Sequence, residues 1–234
     1  MTAGITHVVV AVPARDEEAL LPASLRALSA AVAVLEAARP DVRVAVAVAL
    51  DGCTDGSARV AAEAGVAVTT LAGDGVGAAR DAAVARGLEV LGAPEESTTW
   101  LACTDADTVV PPRWLLRQVR WADQGLDLVV GTAEPVGVDR PEMLAAWHAR
   151  HQLVEGHEHV HGANLGVRAS RWREVGGFGP LRLGEDVRLV ERVRAVSEQW
   201  VATDTTRVLT SGRSRSRVGA GFAGYLSDLG TGTG

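Results

Sequence analysis

An Asp105-Ala106-Asp107 triplet follows the apolar run TWLAC and stands just ahead of Pro111-Pro112. Two carboxylates one residue apart at a strand end can converge on a hard divalent cation, which keeps several waters and takes its other ligands from a diphosphate. The same spacing suits an Asx-type turn that caps the next helix, and the triplet alone does not choose. Asp51 ends a second apolar run in LDGCTDGS, where Gly52 and Gly56 permit a tight turn and Asp55 is placed to cap the following helix. Glu185-Asp186 opens a helical stretch directly after Gly184. Acids in a first turn complement the helix dipole. Consecutive helical residues nevertheless point about 100° apart, so one can cap while the other faces a cleft. A single carboxylate beside a hydroxyl is what general-base catalysis requires.

Three further patterns carry chemistry less specifically. Gly73-Asp74-Gly75-Val76-Gly77-Ala78 has the look of a dinucleotide fingerprint. It follows the third strand rather than the first, however, and no acidic residue ends a strand about twenty positions later. It is a glycine turn leading into a helix that carries Arg80 and Asp81. His157, His159 and His161 alternate, and His148 and His151 lie three apart, without a nearby cysteine or a common zinc spacing. They are expected on the surface or in a polar cleft. Arg213, Arg215 and Arg217 form either a solvated edge or a site for a diphosphate or an anionic acceptor.

The elements that must position these residues are legible from periodicity. Strands are expected at His7–Val12, Val42–Leu50, Val66–Leu71, Thr98–Cys103 and Leu126–Gly131, with helices at Glu17–Ala38, Asp55–Ala64, Gly77–Leu91 and Pro112–Trp121. Near-continuous apolar strands separated by helices imply a mostly parallel sheet covered on both faces, and ligands bind beyond the carboxyl ends of such strands. PARDEE, DGCTDGS and TDADTVVPP all fall there. Residues 141–161 then read as a helix and a loop, NLGVRAS as a strand, GEDVRLVERVRAV as a helix and Thr206–Leu209 as a strand.

Composition bounds the class. The 234 residues are 47% hydrophobic but only 4% aromatic, so the core must be built from Ala and Val. A net charge of −6 argues against nucleic acid as the main partner. Every basic residue is Arg. Cys53 and Cys103 read as reduced thiols. The N-terminal run enters a strand directly, and the apolar runs are too short to span a bilayer. The expectation is one cytoplasmic domain without a transmembrane segment.

Taken in order, VPARDEE, LDGCTDGS, GVGAARDAA, CTDADTVVPP, HGANLGVRASRWREVGGF and GEDVRLVERV resemble a family 2 glycosyltransferase of the GT-A fold, over roughly residues 7–195. The resemblance implies an inverting enzyme. It would use a nucleotide-diphosphate sugar donor, a divalent cation (Mg2+ or Mn2+), and a small-molecule, lipid-linked or glycan acceptor. It puts Pro13, Arg15, Glu17, Asp51, Arg80, Asp105 and Ala106 at the donor, Asp107 with Asp105 at the metal, and Gly162, Ala163, Asn164 and Glu185 at the acceptor. Asp186 matches the catalytic base, and Asp81 sits beside Arg80 near the nucleotide. Residues 1–131 would form the nucleotide-sugar half and 132–234 the acceptor half of one domain. This chain departs from the pattern in having Arg15 at an often aromatic position, LDGC for the common DDGS, and no assigned downstream metal ligand; His161 or a C-terminal Arg could stand in. A sugar-1-phosphate nucleotidyltransferase would need a Gly-rich phosphate loop that VPARDEE lacks, and a non-catalytic homologue need not keep Asp186 and the D-A-D.

Overall fold

A computed structural model of the chain describes residues 4–181 and 183–213. Arg215, Arg217 and the Gly-rich C-terminal stretch lie outside the described residues. Eight strands form one sheet: β1 (His7–Ala14), β2 (Arg43–Asp51), β3 (Ala67–Leu71), β4 (Thr99–Cys103), β5 (Thr108–Val109), β6 (Leu128–Val136), β7 (Leu165–Arg168) and β8 (Trp200–Ser211). Their order across the sheet is β3-β2-β1-β4-β7-β6-β8-β5. Strands β1, β2, β3 and β4 pair in parallel, as do β6 and β8, whereas β7 and β5 pair antiparallel to their neighbours. The mostly parallel GT-A-type sheet expected from the sequence is the one observed.

Alternation within the strands divides the core. Val8, Val10, Val12, Val48 and Leu50 face one side, where they meet Leu21, Leu25, Leu28 and Leu35 of α1 (Leu21–Ala38), Val60 and Ala61 of α2 (Ser57–Glu63), and Trp114, Leu115 and Val119 of α4 (Trp114–Asp123). Val9, Ala11, Ala45, Ala47 and Ala49 face the other side. That side is covered by Ala79, Ala83 and Val84 of α3 (Val76–Val90) and Leu189, Val190 and Val193 of α7 (Glu185–Val196). Small residues let α3 lie close to the sheet: a Cβ on Gly87 would overlap the side chain of Val9. Helix α1 is apolar and long enough to cross a bilayer by composition. Its leucine stripe, Leu21, Leu25, Leu28 and Leu35, packs in the core.

Two short helices complete the description, α5 (Pro141–Arg150) and α6 (Ala169–Glu174). Met143 and Trp147 of α5 make a separate small cluster with Val138 and Leu153. The expected strand over NLGVRAS stops at Arg168, where α6 begins. Strand β8 extends well beyond the expected Thr206–Leu209 because its full length is needed to pair with β6 and β5.

Candidate active site at the carboxyl rim of the sheet

The parallel strands β1, β2 and β4 deliver their polar ends to one rim. After β1 the chain turns sharply at Asp16, whose φ of +52° is left-handed. This places Arg15 half-exposed above Asp51, with Nη1 at 4.0 Å from Asp51 Oδ2. Asp51, 4% exposed, accepts hydrogen bonds from the backbone N–H of Gly73 (3.0 Å) and Asp74 (2.7 Å) on Oδ1 and of Gly75 (3.0 Å) on Oδ2. Its carboxylate therefore holds the 73–75 turn, whose glycines adopt φ of +104° and +103°. Asp55 accepts from the N–H and hydroxyl of Ser57, the first residue of α2, while the N-cap position itself is Gly56. Pro13 is buried in β1.

Arg80 is the centre of the rim. Carried by α3 and only 3% exposed, it donates from Nη2 to Asp105 Oδ1 at 2.6 Å and from Nη1 to Glu185 Oε1. Phe178 lies beneath it, with the ring centroid 5.6 Å from Cζ. Burial works against the Arg80 charge, but Asp105, Glu185 and Asp186 more than offset it. In turn burial raises the Glu185 carboxyl and Arg80 lowers it, the net direction being upward. Asp81, next on the helix, faces elsewhere: it accepts from Trp172 Nε1 (3.0 Å) and from the N–H of Phe178 and Gly179 (both 2.9 Å), fixing the loop ahead of α7.

Helix α7 starts at Gly184, whose φ of +74° aims Glu185 inward. Asp186 is half-buried and oriented by two backbone donors, Gly162 N–H on Oδ2 (2.7 Å) and Val187 N–H on Oδ1 (2.8 Å). Gly162 lies so close to Arg80 that a Cβ would overlap the guanidinium. Ala163 is buried in the core beside it. Asn164 is fully buried, donating both amide hydrogens to the carbonyls of Thr132 and Thr206 (2.8 Å each) and accepting from Trp114 Nε1 (2.8 Å). This side chain ties β6, β8 and α4 together, so the sequence-based acceptor role rests on the backbone around it rather than on the amide.

Asp107 lies in the β4–β5 turn, preceded by buried Ala106. Burial, then the charges of Asp105 and Glu17, push its carboxyl up to about 7, against the pull of Arg213. Arg213 Nη2 is 3.3 Å from Asp107 Oδ2, and the same guanidinium pairs with both oxygens of Glu17, Nη1 to Oε2 at 2.7 Å. A buried acid crowded by two others is a donor set short of positive charge, which fits a divalent cation at Asp105 and Asp107. Among the described residues, the grouping of three His, Cys, Asp or Glu ligand atoms within 4.8 Å of one another is Asp16, Cys53 and Asp55. Its oxygens are filled by Thr54, Asp55, Ser57 and Glu18 N–H and hydroxyl donors, and Cys53 donates to the Ala14 carbonyl. That grouping is turn architecture. No third such ligand joins Asp105 and Asp107 among the described residues.

Residues 157–161 form the loop expected after the helix, and within it and at its start His151, His159 and His161 gather with ring centroids 4.5–6.4 Å apart. His151 stacks on Trp147 at 4.5 Å. His161 borders the rim: burial and then His151 push it down to about 4, with Asp186 opposing. Sequence spacing marks these histidines but does not reveal that His151, at the end of α5, meets His159 and His161 of the following loop.

A doubly covered, mostly parallel sheet whose strand ends gather acids at one rim defines an α/β protein with its candidate site beyond the carboxyl ends of the strands. The profile of the glycosyl transferase family 2 matches residues 9–176, and the chain belongs to that family. No curated protein matches by sequence. Structures of similar fold include S. aureus TarS (residues 1–349), with 14% identity and a TM-score of 0.62 over 89% of this chain and 61% of that one. A mannosyltransferase from Pyrobaculum calidifontis, PcManGT, solved with GDP-Man and Mn2+, has 18% identity and a TM-score of 0.64 over 92% and 59%. Glucosyl-3-phosphoglycerate synthase of M. tuberculosis, solved with Mn2+, UDP and glucosyl-3-phosphoglycerate, has 18% identity and a TM-score of 0.55 over 98% and 76%. The chain thus spans about three fifths of the first two.

Proposed function

We propose that the protein is an inverting glycosyltransferase that moves a sugar from a nucleotide-diphosphate donor to an acceptor hydroxyl, with Asp186 as general base. The observation that carries this reading is the junction at Arg80. One buried guanidinium joins Asp105, from the donor side of the sheet, to Glu185, next to Asp186 on the acceptor side. Acids about eighty positions apart in the chain therefore face one centre. The Mn2+ and nucleotide complexes of PcManGT and the M. tuberculosis synthase support the same substrate class.

The chemistry follows from charge. As the anomeric C–O bond breaks, its electron pair passes to the diphosphate, and the acceptor oxygen bonds to the anomeric carbon from the opposite face. The acceptor proton goes to the Asp186 carboxylate, which the N–H groups of Gly162 and Val187 hold in orientation. Asp107 with Asp105 would hold Mg2+ or Mn2+, whose contribution when bound is Lewis-acid neutralisation of the departing diphosphate. Pro13, Arg15, Glu17 and Asp51 are assigned to the nucleotide base and ribose, beside the glycine turn that Asp51 holds.

Thermal-shift screening with UDP-, GDP- and dTDP-sugars, with and without Mn2+, identifies the donor, because stabilisation grows with ligand concentration. With that donor, Asp186→Asn should lower transfer by about 10²–10⁴ while donor affinity stays within error. Full transfer by Asp186→Asn rejects the assignment.

A further inference from the structure

Arg213 occupies a telling position. It follows the last residue pair of β8, yet its guanidinium reaches across to the turn after β1 and the turn after β4, bridging Glu17 and Asp107. Glu17 is buried, its N–H donates to Ser57 Oγ at 2.8 Å, and its position is therefore rigid. Asp107 is held on the other side by Thr210 Oγ1 at 3.5 Å. The Arg213 guanidinium thus neutralises the same carboxylate that would ligate a divalent cation.

The approach of a second cation to one carboxylate is opposed by the charge of the first. We propose that Arg213 is the resident counter-ion of the Asp107 site and is exchanged for a divalent cation when a nucleoside diphosphate arrives. The inference rests on Asp107 as cation ligand, assigned above. In the free protein a divalent cation must displace the guanidinium and leave it without its partner on Asp107, so cation binding alone is weak. A diphosphate changes the balance in two ways. Its oxygens add negative charge beside the cation, and they offer a guanidinium planar, bidentate partners of the kind it gives up. Cation and nucleotide therefore bind cooperatively, and by linkage each tightens the other by the same factor.

Mn2+ titration of the full chain, followed by calorimetry and by the electron paramagnetic resonance of free Mn2+, tests this without any turnover. Wild type, Arg213→Gln and Asp107→Ala are compared alone and with saturating UDP or GDP. Arg213→Gln keeps a hydrogen-bond donor for Glu17 while removing the charge. Wild type should bind Mn2+ weakly alone and about tenfold or more tightly with one of the nucleotides, a coupling within the usual range. Arg213→Gln should bind Mn2+ alone about tenfold more tightly than wild type and show a smaller nucleotide effect, as expected when the displacement cost is removed. Equal or weaker Mn2+ binding by Arg213→Gln overturns the counter-ion role. If Asp107→Ala loses Mn2+ at the same time, the cation assignment survives that failure. If Asp107→Ala binds Mn2+ as wild type does, the cation assignment falls and this inference with it.

Discussion

Arg80 acts on the rim through other residues, since the fold leaves it almost no surface for a ligand. A buried arginine is tolerable because two acids meet it, and each acid is tolerable because of the arginine. Removing one partner leaves an uncompensated buried charge, which costs about 3–5 kcal/mol. Arg80→Ala should therefore lower the urea midpoint strongly. Arg80→Ala combined with Glu185→Gln should cost less than the sum of the two single changes, because neighbours in one network are not additive. Strict additivity would show that the pair is not coupled. The sequence marks Arg80 as a rim residue by its place just after the glycine turn. It does not reveal that the side chain points inward, because that depends on Gly162 and Glu185 arriving from the far half of the chain.

Helix α3 illustrates what an element does beyond its own hydrogen bonds. Its first turn abuts the 179–185 segment: Gly77 N–H donates to the Leu181 carbonyl at 3.3 Å, and a Cβ on Gly77 would run into the carbonyl oxygen of Gly179. In an open helix, Gly→Ala gains about 0.8–1 kcal/mol. Here backbone would have to move, so Gly77→Ala should instead lose about 1–3 kcal/mol, read as a lower denaturation midpoint. The same shift would displace Glu185 and Asp186, so transfer rate should fall more than donor affinity. A stabilised, fully active Gly77→Ala variant would sink this account. Element spans follow closely from hydrophobic periodicity, and among the departures the start of α1 is instructive. The sequence suggests that α1 starts at Glu17, whereas it starts at Leu21, because the Arg15–Glu18 segment is bent to meet the turn after β2. Glu17 and Glu18 N–H groups donate to Ser57 and Asp55, contacts that no local pattern contains.

At the scale of the whole molecule, two groups set opposing pH dependences. His161 is held down at about 4 by burial, below the ordinary 6.5, so the unfolded chain takes the proton first. Its contribution is present above about 6.5 and is lost as pH falls towards 4. Asp107 is raised to about 7 from 3.8, so the native state takes that proton first, and stability grows as pH falls from 7 towards 3.8. With metal chelated, Asp107→Asn should melt a few degrees higher than wild type at pH 8, each kcal/mol being worth roughly 2–4 °C at this size. Between pH 7 and 5 its melting temperature should also drop more steeply, because the compensating acid is gone. Parallel curves for the two proteins would show that Asp107 is not a buried, destabilised carboxylate.

The sheet and its covering helices were written in the sequence because strands and helices declare themselves by period, and the ends of parallel strands share a rim wherever the chain goes next. Asp51, Asp105 and Asp107 could be placed near that rim for the same reason, whereas Glu185-Asp186 is assigned to the site only through the family resemblance. Which carboxylate faces which cation was decided only by the tertiary structure. Asp51 is filled by the 73–75 turn, Asp105 and Glu185 by Arg80, Asp107 by Arg213, and Asp186 by the Gly162 and Val187 N–H groups. Two of those pairings, Arg80–Glu185 and Asp107–Arg213, cross more than a hundred residues of chain. Electrostatic and hydrogen-bond partners are chosen by distance in space, which sequence periodicity does not encode.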